Sequence, residues 1–417
     1  MVSIVSFTKQ VFISIAFALL VQGVAIPQLE GGAATLEKPK AKRAAPGTLS
    51  LDLAINRNHD HSNFTYGPHY VILSNAKRDS YIEVTLYNEQ VTYSANITVG
   101  SDHQVQNVII DTGSSDLWVV DSSATCQAQS GYASDYCFSG GSYNRSTSST
   151  YQSLGTAFGI LYGDGSSSTG TWAVDTVGIS GAVITNQQFG DVTSTSVEQG
   201  ILGIGLDTNE SIDTIYDNLP INLKNQGYIS TNGYSLYLNS RGATTGSIIF
   251  GGIDHAKYRD TLTTLPITST TEFRIQTNSV TVGKSTISID ADMLLDSGTT
   301  LTYLPLNVVS RIASAVGGLT YNRLIGAYTW ACNRIGNLTY NFPQGLSINI
   351  PYSDLAVQLY YTDGTVADIC AFGILSGSLN ILGDNFLRHA YVAYNLDAKT
   401  ISLAPVVYTP ESNITTF

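Results

Sequence analysis

Charged side chains are scarce in this chain: Asp, Glu, Lys and Arg make up 12% of its 417 residues, about half the usual share. This shortage argues against a coiled coil, and with 43% hydrophobic residues and 25 tyrosines it argues against intrinsic disorder. Basic residues are fewer than acidic ones, 20 against 32, and the net charge of −12 argues against a nucleic-acid partner. The composition is typical of a β-rich secreted protein with two or three domains.

Several catalytic and metal-binding motifs are also missing. The three histidines after residue 78 do not form H-E-x-x-H, which argues against a zinc protease. The sequence contains no G-x-S-x-G, the nucleophile turn of α/β-hydrolases. The four cysteines lack the C-x2-C spacing of a metal site. We therefore predict neither a metal site nor a serine nucleophile.

The cysteines instead predict two disulfides in an exported protein. Four cysteines allow three pairings, and local closure costs the least entropy. We favour the pairs Cys126–Cys137 and Cys332–Cys370. Their oxidation would leave no thiolate nucleophile.

Long hydrophobic runs are absent as well. The longest begins at the N-terminus, where Lys9 precedes an apolar run at residues 11–21 and small residues at Gly23 and Ala25. This pattern predicts a cleaved secretory signal at residues 1–25. A signal anchor is the alternative, but the run is short for a span. The polar C-terminus lacks the tail of a glycolipid anchor, so we expect a soluble extracellular protein without a membrane anchor.

A basic leader precedes an acidic body. Residues 1–78 carry 8 Lys or Arg and 4 Asp or Glu, a charge of +4, which leaves 12 and 28, or −16, for residues 79–417. The change falls at the dibasic pair Lys77-Arg78, although a second pair stands at residues 42–43. We predict a propeptide at residues 26–78 that docks by charge and is cut off after Arg78. Which pair is the final processing site stays open.

One pattern occurs twice in the acidic body. An apolar triplet leads into Asp111, Thr112, Gly113, Ser114 and Ser115, and another leads into Asp296, Ser297, Gly298, Thr299 and Thr300. An apolar-apolar-Gly element follows each, with its glycine 92 residues after Asp111 and 87 residues after Asp296. This repetition predicts two homologous lobes, which we place at residues 79–258 and 259–417.

The repeated turn has a clear physical meaning. A continuous apolar run predicts a buried strand, and the Asp that ends it needs partners because it is rarely buried alone. The glycine permits close backbone approach, and the hydroxyls can donate to the carboxylate. Two-fold symmetry would bring Asp111 and Asp296 face to face.

Two facing aspartates share one proton. The ionised one can take a proton from water while the protonated one donates to a carbonyl oxygen, which hydrolyses an amide through a tetrahedral gem-diol without a covalent intermediate. A glycosidase also uses two carboxylates, but its chemistry does not require equivalent aspartates in matching turns.

The remaining patterns mostly predict strands. Residues 81–86, 90–99 and 105–110 are rich in β-branched and aromatic residues, whereas residues 307–316 and 384–388 are the best helix candidates. Residues 158–162 and 169–174 predict a hairpin whose tip is Gly163-Asp164-Gly165. It is either a mobile hairpin that closes over substrate or an ordinary surface hairpin.

These motifs carry a family resemblance. Residues 111–119 resemble the first active-site signature of pepsin-like aspartic proteases, residues 296–300 resemble the second, and residues 162–165 match the flap. Residues 89–93, 191–205 and 381–388 resemble candidapepsins, the secreted aspartic proteases of yeasts. The resemblance covers essentially all of residues 79–417, and it implies an all-β, bilobal pepsin-like fold with a cleft between the lobes.

The resemblance also implies residue roles. Asp111 and Asp296 would be the catalytic pair, with Thr112 and Ser297 cross-bracing their turns. Their support would come from Ser114 and Thr299, which bond the outer carboxylate oxygens, and from Gly113 and Gly298, which let backbone amides approach. The residues assigned to the flap and to substrate binding are Tyr162, Gly163, Asp164, Gly165, Trp118 and Thr300, with Trp118 as the partner of the Tyr162 hydroxyl.

The implied activity is endopeptidase cleavage of proteins and peptides at acid pH, with broad preference for bulky apolar residues and inhibition by pepstatin. No metal or cofactor is implied, and we expect a monomer whose propeptide is removed by a furin-like protease. Asp164 either favours basic substrate side chains or is a turn residue. A catalytically dead binding protein or inhibitor of the same fold, and a wall-anchored or proprotein-processing protease, are the rival interpretations.

Candidate glycosylation acceptors follow from Asn-x-Ser/Thr triplets. They are Asn63, Asn96, Asn144, Asn209, Asn337 and Asn413.

The leader generates the first testable prediction. If the basic propeptide inhibits by covering an acidic cleft, an Arg78→Ala precursor that stays uncut will cleave protein more slowly than the processed form. Equal rates for the purified precursor and the processed form would contradict inhibition by the leader.

Overall fold

The computed structural model describes residues 82–88, 92–127, 133–323, 325–360 and 366–417. The predicted signal, propeptide, dibasic pairs and Asn63 lie outside these residues. Within them, no helix is both long and apolar enough to span a membrane.

The first half of the described chain is built almost entirely from strands. They are β1 (Ile82–Asn88), β2 (Tyr93–Val99), β3 (Gln104–Asp111), β4 (Leu117–Cys126), β5 (Gln152–Leu161), β6 (Ser167–Ile179), β7 (Ala182–Thr195), β8 (Ile201–Gly203), β9 (Gly233–Tyr237), β10 (Thr245–Phe250) and β11 (Gly252–Asp254). A short helix, α1 (Leu219–Asn225), and 3₁₀ turns at Tyr136–Phe138, Arg145–Thr147 and Asp207–Asn209 interrupt them.

The second half is also dominated by strands. They are β12 (Thr263–Pro266), β13 (Arg274–Val282), β14 (Ser285–Leu295), β15 (Thr302–Leu304), β16 (Thr320–Asn322), β17 (Ala327–Ala331), β18 (Asn337–Asn341), β19 (Ser347–Pro351), β20 (Ala356–Tyr360), β21 (Val366–Phe372), β22 (Ile374–Ser376), β23 (Ile381–Leu382), β24 (Ala390–Asn395), β25 (Thr400–Pro405) and β26 (Ile414–Thr416). Its helices are α2 (Leu306–Val316) and α3 (Asp384–Leu387), with 3₁₀ turns at Pro343–Gly345 and Tyr352–Leu355. The prediction of an all-β fold is confirmed.

One large sheet joins the two halves. Its thirteen strands run in the order β12-β25-β24-β9-β10-β1-β2-β3-β8-β4-β7-β6-β5. Strands β12, β24 and β25 follow residue 258, so the sheet crosses the boundary that we predicted between the lobes. The junction is antiparallel pairing of β24 with β9, with Val392 opposite Leu236 and Tyr394 opposite Tyr234. The two lobes therefore share one hydrogen-bonded sheet.

The second half adds its own sheets. Seven strands run in the order β19-β18-β13-β14-β23-β15-β22, and four run in the order β16-β17-β21-β20. Helix α2 packs a buried face of Val308, Val309 and Ile312 beneath them. A continuous hydrophobic core fills both halves, and a second, smaller cluster surrounds Trp118 and Trp172.

The internal repeat has the same topology in both halves. Strand β3, which ends at Asp111, pairs in parallel with β8, so that Ile110 faces Leu202. Strand β14, which leads into Asp296, pairs in parallel with β23, so that Leu295 faces Leu382. The two apolar-apolar-Gly elements thus pair with the two aspartate strands in the same way.

Both favoured disulfides are present. Cys126 bonds to Cys137 and Cys332 bonds to Cys370, with Cα atoms 5.4 and 5.0 Å apart. The predicted strands and helices also form, although β5 begins six residues before the predicted strand and β6 ends five residues after it. Residues 81, 90 and 91 of the predicted strands lie outside the described residues. The seven-residue helix α1 was not predicted.

Candidate active site

The two repeated turns meet at the centre of the molecule. Asp111 ends β3 and Asp296 directly follows β14, and their side chains are only 6% and 8% exposed. The two carboxyl groups are close enough for the charge of Asp111 to raise the pKa of Asp296. Each apolar strand thus delivers a carboxyl group to the same buried point.

Reciprocal hydrogen bonds lock the turns together. The Thr112 hydroxyl donates to the Leu295 carbonyl at 2.8 Å and accepts from the Ser297 amide at 2.9 Å. The Ser297 hydroxyl donates to the Ile110 carbonyl at 2.8 Å and accepts from the Thr112 amide at 3.1 Å. This is the cross-brace that the resemblance implied, and serine serves in it as threonine does.

Each carboxylate has matching donors from its own turn. Asp111 accepts from the Ser114 hydroxyl at 2.5 Å and from the Gly113 amide at 2.8 Å. Asp296 accepts from the Thr299 hydroxyl at 2.7 Å and from the Gly298 amide at 2.8 Å. These bonds fix both carboxyl planes and satisfy oxygens that burial removes from water.

The glycines are required by the closeness of the opposite lobe. A Cβ on Gly113 would lie 2.6 Å from Asp296 Oδ1, and a Cβ on Gly298 would lie 2.5 Å from Asp111 Oδ1. Any larger residue would push the two aspartates apart.

The electrostatics favour a single shared proton. Burial, followed by the charge of Asp111, raises the pKa of Asp296. The bonds from Thr299 and Gly298 oppose this rise without cancelling it. The pair therefore holds one proton under conditions in which an exposed aspartate would be ionised.

The β5–β6 hairpin covers the first aspartate. Tyr162 lies at the start of its tip, and its hydroxyl accepts a hydrogen bond of 2.7 Å from Trp118 Nε1. Burial and then the charge of Asp111 raise the pKa of Tyr162 well above its usual range. The expected Trp118–Tyr162 contact is thus formed beside the carboxyl pair.

Comparison with known proteins agrees with this geometry. The family model of eukaryotic aspartyl proteases matches residues 92–406. Secreted aspartic protease 8 of Candida albicans is 47% identical over 100% of both chains, and secreted aspartic protease 3 of the same species is 48% identical over 98% of this chain and 99% of the relative. Candidapepsin of Candida tropicalis is 45% identical over 99% of both.

The chain belongs to the eukaryotic aspartyl protease family. Its similarity to candidapepsins spans the whole chain, so the pepsin-like, bilobal fold and the aspartic endopeptidase activity are both supported.

The tip of the protease's hairpin contains Gly163, Asp164 and Gly165. Asp164 Oδ1 accepts from the amide and the hydroxyl of Ser166, at 2.8 and 2.6 Å, and Gly165 has a φ of +87°. Asp164 therefore stabilises the turn. Its charge also adds to the burial that raises the pKa of Tyr303, a residue of the second half.

Thr300 lies beside the second turn, where its carbonyl accepts from the Asn385 amide at 3.1 Å. Asn385 is the second residue of α3, so this contact joins the turn to that helix.

Asp384 lies next to the site, although no motif in the sequence assigns it a role. Its side chain is fully buried, its amide donates to the Thr299 carbonyl at 2.8 Å, and its Oδ2 lies 4.0 Å from Arg388 Nη2. Burial raises the pKa of Asp384 well above its usual range, Arg388 opposes this, and the charges of Asp296 and Asp111 add to it. An asymmetry in the repeat could have revealed it, since Ile204 follows the corresponding glycine in the first half.

The candidate glycosylation positions differ in their surroundings. Asn337 and Asn413 are exposed, whereas Asn144 accepts bonds from Ser146 and Asn96 accepts from Asn107 Nδ2. Asn209 donates through Nδ2 to the Gly113 carbonyl at 3.3 Å, so its amide already contacts the first active-site turn.

The cross-brace generates a prediction. Thr112→Val keeps the shape of the side chain but leaves the buried Ser297 amide and Leu295 carbonyl without this partner. We expect it to lower the free energy of unfolding by about 2–4 kcal/mol, since each unsatisfied group costs about 1–3 kcal/mol. Thermal or denaturant unfolding measures the change.

Thr112→Ser is the matched variant because it keeps the hydroxyl and mirrors Ser297. It should cost about 1 kcal/mol for the lost methyl and retain more activity than the valine variant. Equal losses in both variants would show that the hydroxyl does not brace the turns.

Proposed function

We propose that this aspartic endopeptidase is secreted and cleaves proteins at acid pH, with water activated between Asp111 and Asp296. The observation that carries the proposal is the pair itself: two buried carboxyl groups are held face to face by equivalent turns, and burial and the charge of Asp111 raise the pKa of Asp296. The donors from Gly113 and Ser114, and from Gly298 and Thr299, orient both groups towards one reacting atom.

The reaction begins with the proton on Asp296, whose pKa is raised. Asp111 takes a proton from the attacking water while Asp296 gives its proton to the carbonyl oxygen of the peptide bond. The water oxygen bonds to the carbonyl carbon and forms a gem-diol. Asp111 then protonates the amide nitrogen, Asp296 recovers a proton from the gem-diol, and the C–N bond breaks to release a carboxylic acid and an amine.

Acid dependence follows from the sign of the pKa shift. The pair must hold one proton, and the raised pKa of Asp296 lets it keep that proton above the usual range of aspartate. As the pH rises further, Asp296 ionises and the acid for the carbonyl oxygen is lost. The acidic body of the protein, at −16 for residues 79–417, also gains self-repulsion as the pH rises.

A preference for bulky apolar substrate side chains is supported by the walls of the site. Trp118 and Ile201 belong to a hydrophobic cluster next to Asp111, and the partly buried Ile160, Tyr162 and Ile212 pack against it. Apolar walls of this kind favour apolar ligands with few polar contacts.

Secretion and processing complete the proposal. The relatives are named secreted aspartic proteases, and the N-terminal pattern favours export of this chain too. We propose residues 79–417 as the mature protease, with lobes meeting near residue 258. Residues 26–78 would be the inhibitory propeptide, removed after Arg78 by a furin-like protease.

The test of catalysis is digestion of a denatured protein by the processed enzyme at about pH 4, where one dyad proton is present. Asp296→Asn removes the ionisable group without changing its size. We expect the rate to fall about 10²–10⁴-fold, the usual contribution of a general acid or base. Pepstatin should abolish the activity of the unchanged protein.

Asp290→Asn is the matched control, because it makes the same change on an exposed position of β14 whose φ of +44° suits asparagine. Its rate should stay close to that of the unchanged protein. If correctly processed and folded protein cleaves nothing, the molecule is a binding protein with an aspartyl protease fold. If Asp296→Asn stays active, the reaction does not pass through the pair.

A further inference from the structure

An outer loop is hydrogen-bonded to the first catalytic turn. This loop, residues 206–217, holds the buried Asp116 at two points. Asp116 Oδ2 accepts from the Ser211 amide at 2.8 Å, and Oδ1 accepts from the Tyr216 hydroxyl at 2.9 Å. Asp116 lies five residues after Asp111, so the loop is bonded to the segment that carries the catalytic carboxyl group.

Two more hydrogen bonds join the loop to the turn. The Ser115 hydroxyl donates to the Leu206 carbonyl at 2.6 Å, and Asn209 Nδ2 donates to the Gly113 carbonyl at 3.3 Å. Backbone and side chains of the loop thus contact three successive parts of the turn. A displacement of the loop would loosen the amide of Gly113 that orients Asp111.

Glu210 lies in this loop between Asn209 and Ser211, which both bond to the catalytic turn. Its Oε2 accepts from the Tyr216 amide at 2.9 Å, while its Oε1 is buried and has no hydrogen-bond partner among the described residues. The charged groups that face it are Asp116 from the catalytic turn and Asp207 and Asp217 from the loop, all acidic. Each of these three charges would repel an ionised Glu210.

These surroundings hold Glu210 in its neutral form. Burial, and then the charges of Asp116, Asp207 and Asp217, raise the pKa of Glu210 to about 8, against the opposing bond from the Tyr216 amide. In the unfolded chain the carboxyl group of Glu210 has its ordinary pKa of about 4.5. Between these values the folded protein keeps a proton that the unfolded chain has lost, so rising pH weakens the folded loop across this window.

We propose that Glu210 is a positioning residue whose protonated form keeps residues 206–217 on the first catalytic turn, and whose ionisation beside Asp116 releases this loop and lowers activity towards neutral pH. The proposal rests on the proposed function, because it names a second proton that the same site requires. Ionisation of Glu210 would therefore lower activity in addition to any ionisation of the carboxyl pair.

Release of residues 206–217 would affect the β5–β6 hairpin as well as the first catalytic turn. The ring of Tyr216 packs edge-on against Trp172, with centroids 5.5 Å apart. Trp172 and Trp118 belong to the same hydrophobic cluster, and Trp118 donates to the Tyr162 hydroxyl. Movement of Tyr216 would therefore disturb the contact that places the hairpin over Asp111.

The test compares Glu210→Gln with the unchanged protease. Glutamine has the same shape, keeps a carbonyl oxygen for the Tyr216 amide and carries no charge at any pH. We expect the ratio of kcat/KM at about pH 7 to that at about pH 4 to rise about tenfold, which corresponds to one unit of displacement of the alkaline limb. Glu198→Gln, which removes the same charge from an exposed position in the same half, should leave the ratio unchanged.

Tryptophan fluorescence provides a readout that does not depend on activity. Two of the three tryptophans lie in the cluster that Tyr216 contacts, so release of the loop should change the emission of the unchanged protein between about pH 5 and pH 8. Glu210→Gln should lack this transition. Glu210→Ala should be less active than Glu210→Gln at every pH, because it also loses the acceptor for the Tyr216 amide.

The outcomes separate this inference from the proposed function. An unchanged protein that is inactive at about pH 4 would contradict the proposed function itself. An active protein whose pH profile and fluorescence transition are the same in Glu210→Gln would overturn only the role of Glu210. Equal loss of activity at all pH values in the Gln and Ala variants would show a purely structural residue.

Discussion

The structure depends on the enforced closeness of two buried carboxyl groups that would repel each other if both were ionised. Asp111 and Asp296 cannot separate, because Thr112 and Ser297 bond across to the opposite strand. They cannot be separated by side chains either, because Gly113 and Gly298 leave no Cβ between them. The fold therefore holds the pair in a geometry in which sharing a proton is the least costly state.

The surrounding architecture supplies the rigidity that this geometry needs. The parallel pairs β3–β8 and β14–β23 bury the two aspartate strands in equivalent settings, while β9 and β24 join the halves in one sheet. The symmetry is incomplete, since Asp384 with Arg388 stands behind the second turn where Ile204 stands behind the first. The first turn is instead hydrogen-bonded through Asp116 to an acidic loop that contains Glu210. Ionisable groups thus surround the pair on both sides.

Much of this was visible in the sequence, because the chemistry requires particular residue types. Asp111 and Asp296 are found from their repeated turns, the strands from apolar runs, and the disulfides from local closure. Asp384 and Glu210 were given no role, because their significance comes from burial and from neighbours distant in sequence. Asp116 lies 100 residues from the Tyr216 that binds it, and no local pattern indicates such a contact. The sheet that crosses residue 258 was missed for the same reason: β24 pairs with β9 across more than a hundred residues.

The most direct test of the shared proton is the dependence of kcat/KM on pH for the processed enzyme and a short peptide. A single shared proton predicts a profile that falls on both sides of an acid optimum. The acid limb appears when the pair takes up a second proton, and loss of the last proton of the pair contributes to the alkaline limb. A profile that stays flat through about pH 7 would contradict a reaction that needs one proton between Asp111 and Asp296.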